Sequence, residues 1–223
     1  MKRQLLITKD GSHTLYVPDL HDHYHSTFGA VQESRHIYIE RAFKASRLDK
    51  DKVNVLEIGF GTGLNAFLTW QESLKQEVNV EYLALEPYPL KASLLAQLNY
   101  IDFVQAEGAK AAFDKIHQGK WGTSYELSRH MTLVKRDLTV QDARLEPGYF
   151  DVVYFDAFGP EAQPELWTEK VFRKIFACMV SGAVMCTFSS KGDVKRAIKS
   201  AGFDIELIDG PPGKRTITRA WKE

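Results

Sequence analysis

The amino-acid sequence predicts an α/β fold: a mostly parallel sheet with helices on both faces, closed by an antiparallel hairpin and preceded by a small extension. Three observations carry this expectation. From Val53 onward strand-like and helix-like segments alternate, as in a parallel sheet joined by crossover helices. The first strand of that series runs into three glycines spaced two apart, Gly59, Gly61 and Gly63, ahead of a helix-like segment. The last two strand-like segments, 204–208 and 215–221, are separated by little more than Gly210-Pro211-Pro212-Gly213, a connection short enough to require antiparallel pairing.

The elements follow in order. Residues 1–50 form an extension expected to pack on the core. Leu5-Leu6-Ile7 and Leu15-Tyr16-Val17 flank Lys9-Asp10-Gly11-Ser12, which reads as a hairpin with a glycine-containing turn. His21 to Gly29 reads as a polar loop, and Val31 to Phe43 is helix-like. Residues 51–223 form the main domain. Its strands are expected at 53–58, 80–85, 131–136, 150–155 and 182–188. Its helices are expected at 64–76, 89–98, 164–179 and 192–201. Residues 100–130, with a helix over Ala106 to His117, read as an insertion between the second and third core strands.

Composition narrows the classes. A chain of 223 residues can bury one well-packed domain with a small appendage. Lysine plus arginine equals aspartate plus glutamate at 29 each, so no global basic excess announces a nucleic-acid binder, and any polyanion must meet a local patch. The longest mostly apolar run, 176–188, is broken by Ser181-Gly182 and is short of the roughly 20 residues a membrane span needs. Asp10-Gly11 follows the N-terminal Met1-Lys2-Arg3 too soon for a signal peptide. Cys178 and Cys186 sit in apolar surroundings and form no C-x-x-C pair, which suits a reducing, cytoplasmic setting. The run His21-Asp22-His23-Tyr24-His25 invites a metal reading, but its proline and glycine neighbours make it a loop, and no metal is expected.

In a doubly wound sheet, ligands bind at the carboxyl ends of the strands, so the residues there are the candidates for chemistry. The first strand ends in Glu57 and the glycine loop, where a ligand can lie almost against the backbone at a helix N-terminus. The dinucleotide fingerprint G-x-G-x-x-G is not met, because Leu64 stands at its third glycine. The pattern E-x-G-x-G-x-G instead resembles the first motif of S-adenosylmethionine-dependent methyltransferases. In that family the glycines make room for the methionine and ribose parts of the cofactor. The parallel sheet with a terminal antiparallel hairpin likewise resembles the Rossmann-like class I methyltransferase architecture. The second strand ends in Glu86, an acid able to accept hydrogen bonds from both ribose hydroxyls. The third ends in Asp137, a candidate for the adenine amino group, with Asp142 competing for the role. The fourth runs into Asp156-Ala157-Phe158-Gly159-Pro160, an acid and an aromatic at the edge that faces the transferable methyl. A solvated Glu86, a turn-capping Asp156 and a core Phe158 are the bland alternatives.

The block Asp156-Ala157-Phe158-Gly159-Pro160 with Gln163-Pro164-Glu165-Leu166-Trp167 resembles the tRNA 5-methylaminomethyl-2-thiouridine methyltransferases. Tyr24-His25-Ser26 with Gly29, Gln32-Glu33-Ser34-Arg35-His36, Gly59 to Asn65, Thr187-Phe188-Ser189-Ser190, and Lys214-Arg215 agree with it. The resemblance covers residues 15–220. It implies N-methylation of the 5-aminomethyl group of (2-thio)uridine at the tRNA wobble position, giving 5-methylaminomethyl-2-thiouridine. It implies S-adenosylmethionine as cofactor, bound among Glu57, Gly59, Gly61, Gly63, Asn65, Glu86, Asp137, Tyr24 and Ser26. Asp156 and Phe158 would act on the acceptor, the carboxylate as a positioner because an exposed aspartate titrates near ~4, the ring by packing on the base. Lys214, Arg215, Ser189 and Ser190 would meet tRNA. The family often carries a flavin-dependent oxidase domain. No second glycine fingerprint is present here, so no FAD is expected, and a separate enzyme would make the aminomethyl group. One departure is the Pro211-Pro212 pair where a G-x-G-like turn is expected.

The region 191–223 is locally basic, with eight lysines and arginines against five acids. It suits either phosphate contact or a solvated face with a lysine-protected edge. Two other functions share the fold. A polyamine-type aminopropyltransferase would carry a second acid close to Asp156, and none follows until Glu161. A non-catalytic cofactor- or RNA-binding module would not need the polar residues Asp156, Ser189 and Ser190.

Overall fold

A computed structural model describes residues 2–46 and 50–223. Its centre is an eight-stranded sheet in the order β10-β11-β9-β8-β4-β5-β7-β6. The strands are β4 (Lys52–Ile58), β5 (Asn79–Leu85), β6 (Ser124–Ser128), β7 (Met131–Arg136), β8 (Phe150–Phe155), β9 (Met179–Thr187), β10 (Asp204–Asp209) and β11 (Thr216–Trp221). The five at 52–58, 79–85, 131–136, 150–155 and 179–187 run parallel to one another. The central strand β8 is covered on both faces, and every residue of it is buried. At the end of the chain β10 and β11 form the expected antiparallel hairpin, and β11 pairs antiparallel with β9.

Side-chain alternation along the strands divides the core in two. Val53, Val55, Tyr82 and Tyr154 face one layer, packed under α2 (Leu64–Gln76) and α4 (Ala109–Gln118). Leu56, Ile58, Val153 and Phe155 face the other, under α5 (Glu169–Cys178) and α6 (Gly192–Ser200). The extension forms its own antiparallel sheet of β1 (Gln4–Ile7), β2 (His13–Val17) and β3 (Asp22–His23). It continues into α1 (Ala30–Ser34) and then a nine-residue π-helix, Arg35–Phe43, which packs on the first layer. Residues 47–49, next to the boundary expected at 50, lie outside the described residues.

Several sequence expectations change in detail. The polar loop at 21–29 contains β3. The helix expected over 89–98 shrinks to α3 (Ala92–Leu95), and Asn99 beyond it ties this segment to the first hairpin. Asn99 Nδ2 donates to the Gly11 carbonyl at 3.0 Å and Oδ1 accepts from the His13 N–H at 2.9 Å. The helix expected over 164–179 splits: a 3₁₀ turn at Pro164–Leu166 precedes α5, whose N-cap Thr168 accepts from the Val171 N–H. A threonine before a helical run is a strong start signal. The segment 100–130 contributes α4 and also β6, which pairs antiparallel with β7 and extends the sheet.

Candidate active site

Strand register lines up the residues of the site. Ile58 stands opposite Leu85 on one side and Phe155 on the other, so Gly59, Glu86 and Asp156 emerge in one row at the carboxyl edge. This is where the connections from β4 and β8 diverge, the switch point at which α/β sheets bind ligands. A cavity of about 410 Å³ lies over the row. Its floor is Gly59, Gly61 and Asp156; Glu86, Tyr88 and residues 138–141 form one side. The extension supplies Tyr24, His25, Ser26 and Glu33, and Phe158, Phe188 and Lys214 close the other side.

The glycines have geometric reasons. Gly59 has φ +90°, and a Cβ there would lie 2.4 Å from the Asp156 carbonyl oxygen. Any side chain would push the first loop off the end of β8. Gly61 has φ +49°, and its Cβ would meet the Tyr24 ring at 2.9 Å. The extension also holds the loop through His25, whose Nε2 lies 2.7 Å from Thr62 Oγ1. Burial pushes the His25 imidazole down to about 4, so it is neutral here.

Two carboxylates face the cavity, each held by two donors. Glu86 Oε2 accepts the Gly61 N–H at 3.0 Å and Oε1 the Tyr88 N–H at 2.8 Å. Burial raises its pKa above the ordinary value while these two donors oppose the rise. Asp156 Oδ1 accepts from the Tyr38 hydroxyl at 2.7 Å and Oδ2 from Asn65 Nδ2 at 2.8 Å. Burial raises its carboxyl to about 7. The sequence expectation of an exposed aspartate near ~4 is therefore corrected: desolvation moves this group into the range of a proton acceptor at neutral pH.

Of the residues expected at the site, the structure brings Tyr24, Ser26, Gly59, Gly61, Glu86, Asp156, Phe158 and Lys214 to one cavity. Others stand elsewhere. Glu57 is 0 % exposed and lies behind the wall, its Oε1 accepting from Asn65 Nδ2 at 2.9 Å. Burial holds its carboxyl well above the usual range. Asn65 is buried too, in the first turn of α2, and donates to both acids. Gly63 packs against Ile116 and His117 of α4 rather than on the cavity. Asp137 follows β7 with its side chain exposed and outside the cavity wall; Leu138, Thr139, Val140 and Gln141 take that place. Ser189, Ser190 and Arg215 line a groove that adjoins the cavity and shares Asp22, Gly159, Phe188 and Lys214 with it. Lys191 and Glu161 pair across this groove.

Phe158 presents its ring edge to Tyr24, with centroids 4.9 Å apart. Its backbone is pinned from both sides: its N–H donates to Gln163 Oε1 at 3.1 Å, and its carbonyl accepts from Trp167 Nε1 at 2.9 Å. The Asp-Ala-Phe and Pro-x-x-Trp blocks thus form one folded unit. Two residues without an expected role also stand at the site. Glu33 accepts from the Ser26 N–H at 2.8 Å and pairs with Lys214 at 2.5 Å, joining the extension to the C-terminal hairpin. Tyr38 reaches Asp156 from the π-helix. Glu33 lay within a block carrying the family resemblance, whereas nothing in the local pattern around Tyr38 distinguishes it from a core tyrosine.

Among the described residues, no group of three or more His, Cys, Asp or Glu is arranged to hold a metal ion. No helix among them is long and apolar enough to cross a membrane. The glycine cradle that any Cβ would fill, the Glu86 carboxylate in the wall and the mixed side of Leu138, Thr139, Val140 and Gln141 fit a nucleoside with a short polar chain.

Comparison with known proteins agrees with this geometry. A family model described as S-adenosyl-L-methionine-dependent methyltransferase matches residues 107–223. Similar curated proteins carry the name tRNA 5-methylaminomethyl-2-thiouridine biosynthesis bifunctional protein MnmC. One from Pseudomonas savastanoi is 29% identical over 220 residues, 92% of this chain and 33% of its own. One from Leptospira borgpetersenii is 31% identical over 208 residues, 88% of this chain and 31% of its own. The chain thus spans about a third of the length of these relatives. Among solved structures, MNMC2 from Aquifex aeolicus superposes with a TM-score of 0.79 at 22% identity, over 99% of this chain and 70% of that one. Spermidine synthase from Thermotoga maritima superposes with a TM-score of 0.59 at 14% identity, over 100% of this chain and 72% of that one. These two likenesses concern the fold.

Proposed function

The chain belongs to the S-adenosyl-L-methionine-dependent methyltransferases, and we propose that its acceptor is the amino nitrogen of a 5-aminomethyl group on the (2-thio)uridine at the wobble position of tRNA, giving 5-methylaminomethyl-2-thiouridine. S-adenosyl-L-methionine is the cofactor. The observation that carries the acceptor reading is the Asp156–Phe158 wall. A desolvated carboxylate and an aromatic ring two residues apart both line the cavity, in a chain similar over most of its length to proteins named for this modification.

In this reading Gly59, Gly61, Tyr24 and Ser26 surround the methionine and ribose parts of the cofactor, and Glu86 accepts from the ribose hydroxyls. Residues 138–141 take the adenine side that sequence alone assigned to Asp137. Glu57, Gly63 and Asn65 support the loop from behind. When bound, the cofactor supplies an electrophilic methyl on a sulfonium sulfur. The acceptor for that methyl would be the amine nitrogen, which would give up a proton to the protein. Asp156 orients the amine and takes the proton, with a carboxyl near neutrality suited to hold it. The apolar walls favour the neutral, nucleophilic amine by desolvation. Alignment of the two reacting groups provides much of the acceleration. Phe158 packs on the base, worth ~1–3 kcal/mol for such a stack. Lys214, Arg215, Ser189 and Ser190 line the path of the RNA backbone. The free amine comes from an activity separate from this domain, and the reading implies a cytoplasmic protein.

One observation favours a second reading. Glu33 brings to the cavity the second acid that an aminopropyltransferase would use for an amine. Its oxygens are already engaged by the Ser26 N–H and Lys214, which weakens it as a polyamine ligand. The test is a nucleoside digest of tRNA from a strain lacking this gene, incubated with protein and cofactor. A methyl added to 5-aminomethyl-(2-thio)uridine, with the carboxymethylaminomethyl form untouched, supports the proposal. Conversion of putrescine with decarboxylated cofactor, and no methyl on tRNA, sinks it.

A further inference from the structure

We propose that Tyr38 is the positioning residue of the reaction: its phenol and the Asn65 amide hold the two oxygens of Asp156, one donor to each, so that the carboxylate meets the acceptor nitrogen in a single orientation. This rests on the reading of Asp156 as the group that faces the amine.

Three elements converge on the arrangement. Asp156 leaves the end of β8, Asn65 comes from the first turn of α2, and Tyr38 comes from the π-helix of the extension. The distances are 2.7 Å from Tyr38 Oη to Oδ1 and 2.8 Å from Asn65 Nδ2 to Oδ2. Tyr38 is 1 % exposed, so its hydroxyl must find a partner inside the protein. A backbone carbonyl, that of Phe155, lies beside it at 3.4 Å, yet the short bond goes to the carboxylate. A hydrogen bond to a charged group is stronger and more directional than one to a neutral carbonyl. The backbone around Tyr38 is unusual as well. Residues Arg35–Phe43 form a π-helix, with the Lys44 N–H donating to the Ile39 carbonyl. Such segments are rare and concentrate at functional sites.

The surroundings of Asp156 leave these two donors without substitutes among the described residues. Glu57 stands behind Asn65 and shares its amide, with Tyr82 beside that acid. Glu33 and Lys214 act on Asp156 through space and with opposite signs. Holding one oxygen each, Tyr38 and Asn65 prevent the carboxylate from rotating and leave the remaining lone pairs for the substrate. Tyr38 is thus a contribution of the extension to chemistry on the sheet.

Tyr38→Phe removes one oxygen and keeps the ring that fills the core, so the fold is retained. With aminomethyl-uridine tRNA, kcat is expected to fall about tenfold, while KM for the cofactor stays within twofold. Because the phenol favours the charged carboxylate, its loss should also move the acid limb of the kcat profile to higher pH. The same displacement is expected when the Asp156 carboxyl is titrated by ¹³C NMR in Tyr38→Phe and wild-type protein, with no substrate present. Replacement of Tyr38 by 3-fluorotyrosine, a stronger donor, should move the carboxyl the other way and serves if the phenylalanine variant does not fold. An Asp156 titration unchanged by either replacement overturns the proposal. Wild-type protein inactive on that tRNA overturns the acceptor reading instead, and leaves the titration as the judge of the Tyr38–Asp156 bond.

Discussion

Glu86 Oε2 accepts the backbone N–H of Gly61 at 3.0 Å, so the acid that ends β5 and the glycine loop that ends β4 form one wall. The second oxygen accepts from the Tyr88 N–H two residues on, which completes the clamp. A carboxylate fixed in this way keeps lone pairs free toward the cavity and does not need to reorganise when a diol arrives.

Glu86→Ala should therefore weaken binding of S-adenosylhomocysteine by more than tenfold in calorimetry. Losing a charge-assisted pair of hydrogen bonds costs on the order of 2 kcal/mol. Glu81→Ala is the control: Glu81 sits near the N-terminal end of β5, away from the cavity, paired with Lys52 and Tyr149, and its loss should change affinity less than threefold. Equal affinities for the two variants would remove Glu86 from the ribose site, and heat with NAD alone would overturn the cofactor class.

Gly59→Ala and Gly148→Ala separate backbone strain from collision. Both glycines have positive φ, +90° and +59°, which costs an alanine about 1–2 kcal/mol. At Gly148 a Cβ meets nothing within 4 Å, so the melting temperature should drop only ~2–8 °C. At Gly59 the Cβ meets the Asp156 carbonyl at 2.4 Å, and the variant should melt lower still and lose cofactor binding. Similar melting temperatures for the two would mean that the loop relaxes away from β8 without penalty.

The pH profile of kcat should rise through an apparent pKa of about 7, because Asp156 accepts a proton only once ionised. Asp156→Ala should abolish turnover and spare cofactor affinity. Stability should show the opposite trend. The folded protein holds the Asp156 proton more tightly than the unfolded chain does. Its favourable contribution is complete below the unfolded pKa of about 4 and is lost as pH rises through about 7. Asp156→Asn should therefore raise the melting temperature over wild type by more at pH 8 than at pH 5. A gain independent of pH would show that the carboxyl is not desolvated.

Arg215 lines the groove beside the cavity with its side chain exposed. Arg215→Ala should weaken tRNA binding severalfold near physiological salt and reduce the slope of log affinity against log salt by about 0.7–0.9, the signature of one lost phosphate contact. Cofactor affinity should not change. An unaltered slope would take the RNA backbone off this groove.

Sequence alone determined the sheet and the row of residues at its edge. Parallel strands buried on both faces are mostly apolar, and the runs at 52–58, 79–85 and 150–155 are followed by a glycine or an acid, so Gly59, Glu86 and Asp156 stand out without any structure. The positive φ behind the glycine spacing is equally local, although the contacts that exclude a Cβ come from other elements, Asp156 at Gly59 and Tyr24 at Gly61. Tertiary structure decided which of those residues reach the cavity. Period-2 alternation does not extend past a strand end, and so Asp137 turns to solvent while Val140 is buried and residues 138–141 line the cavity. Tertiary structure also brought Tyr38 and Glu33, more than 100 residues away in sequence, against Asp156 and Lys214. It set the Asp156 carboxyl to about 7 as well, because desolvation depends on everything packed around a group, and no short stretch of sequence records that.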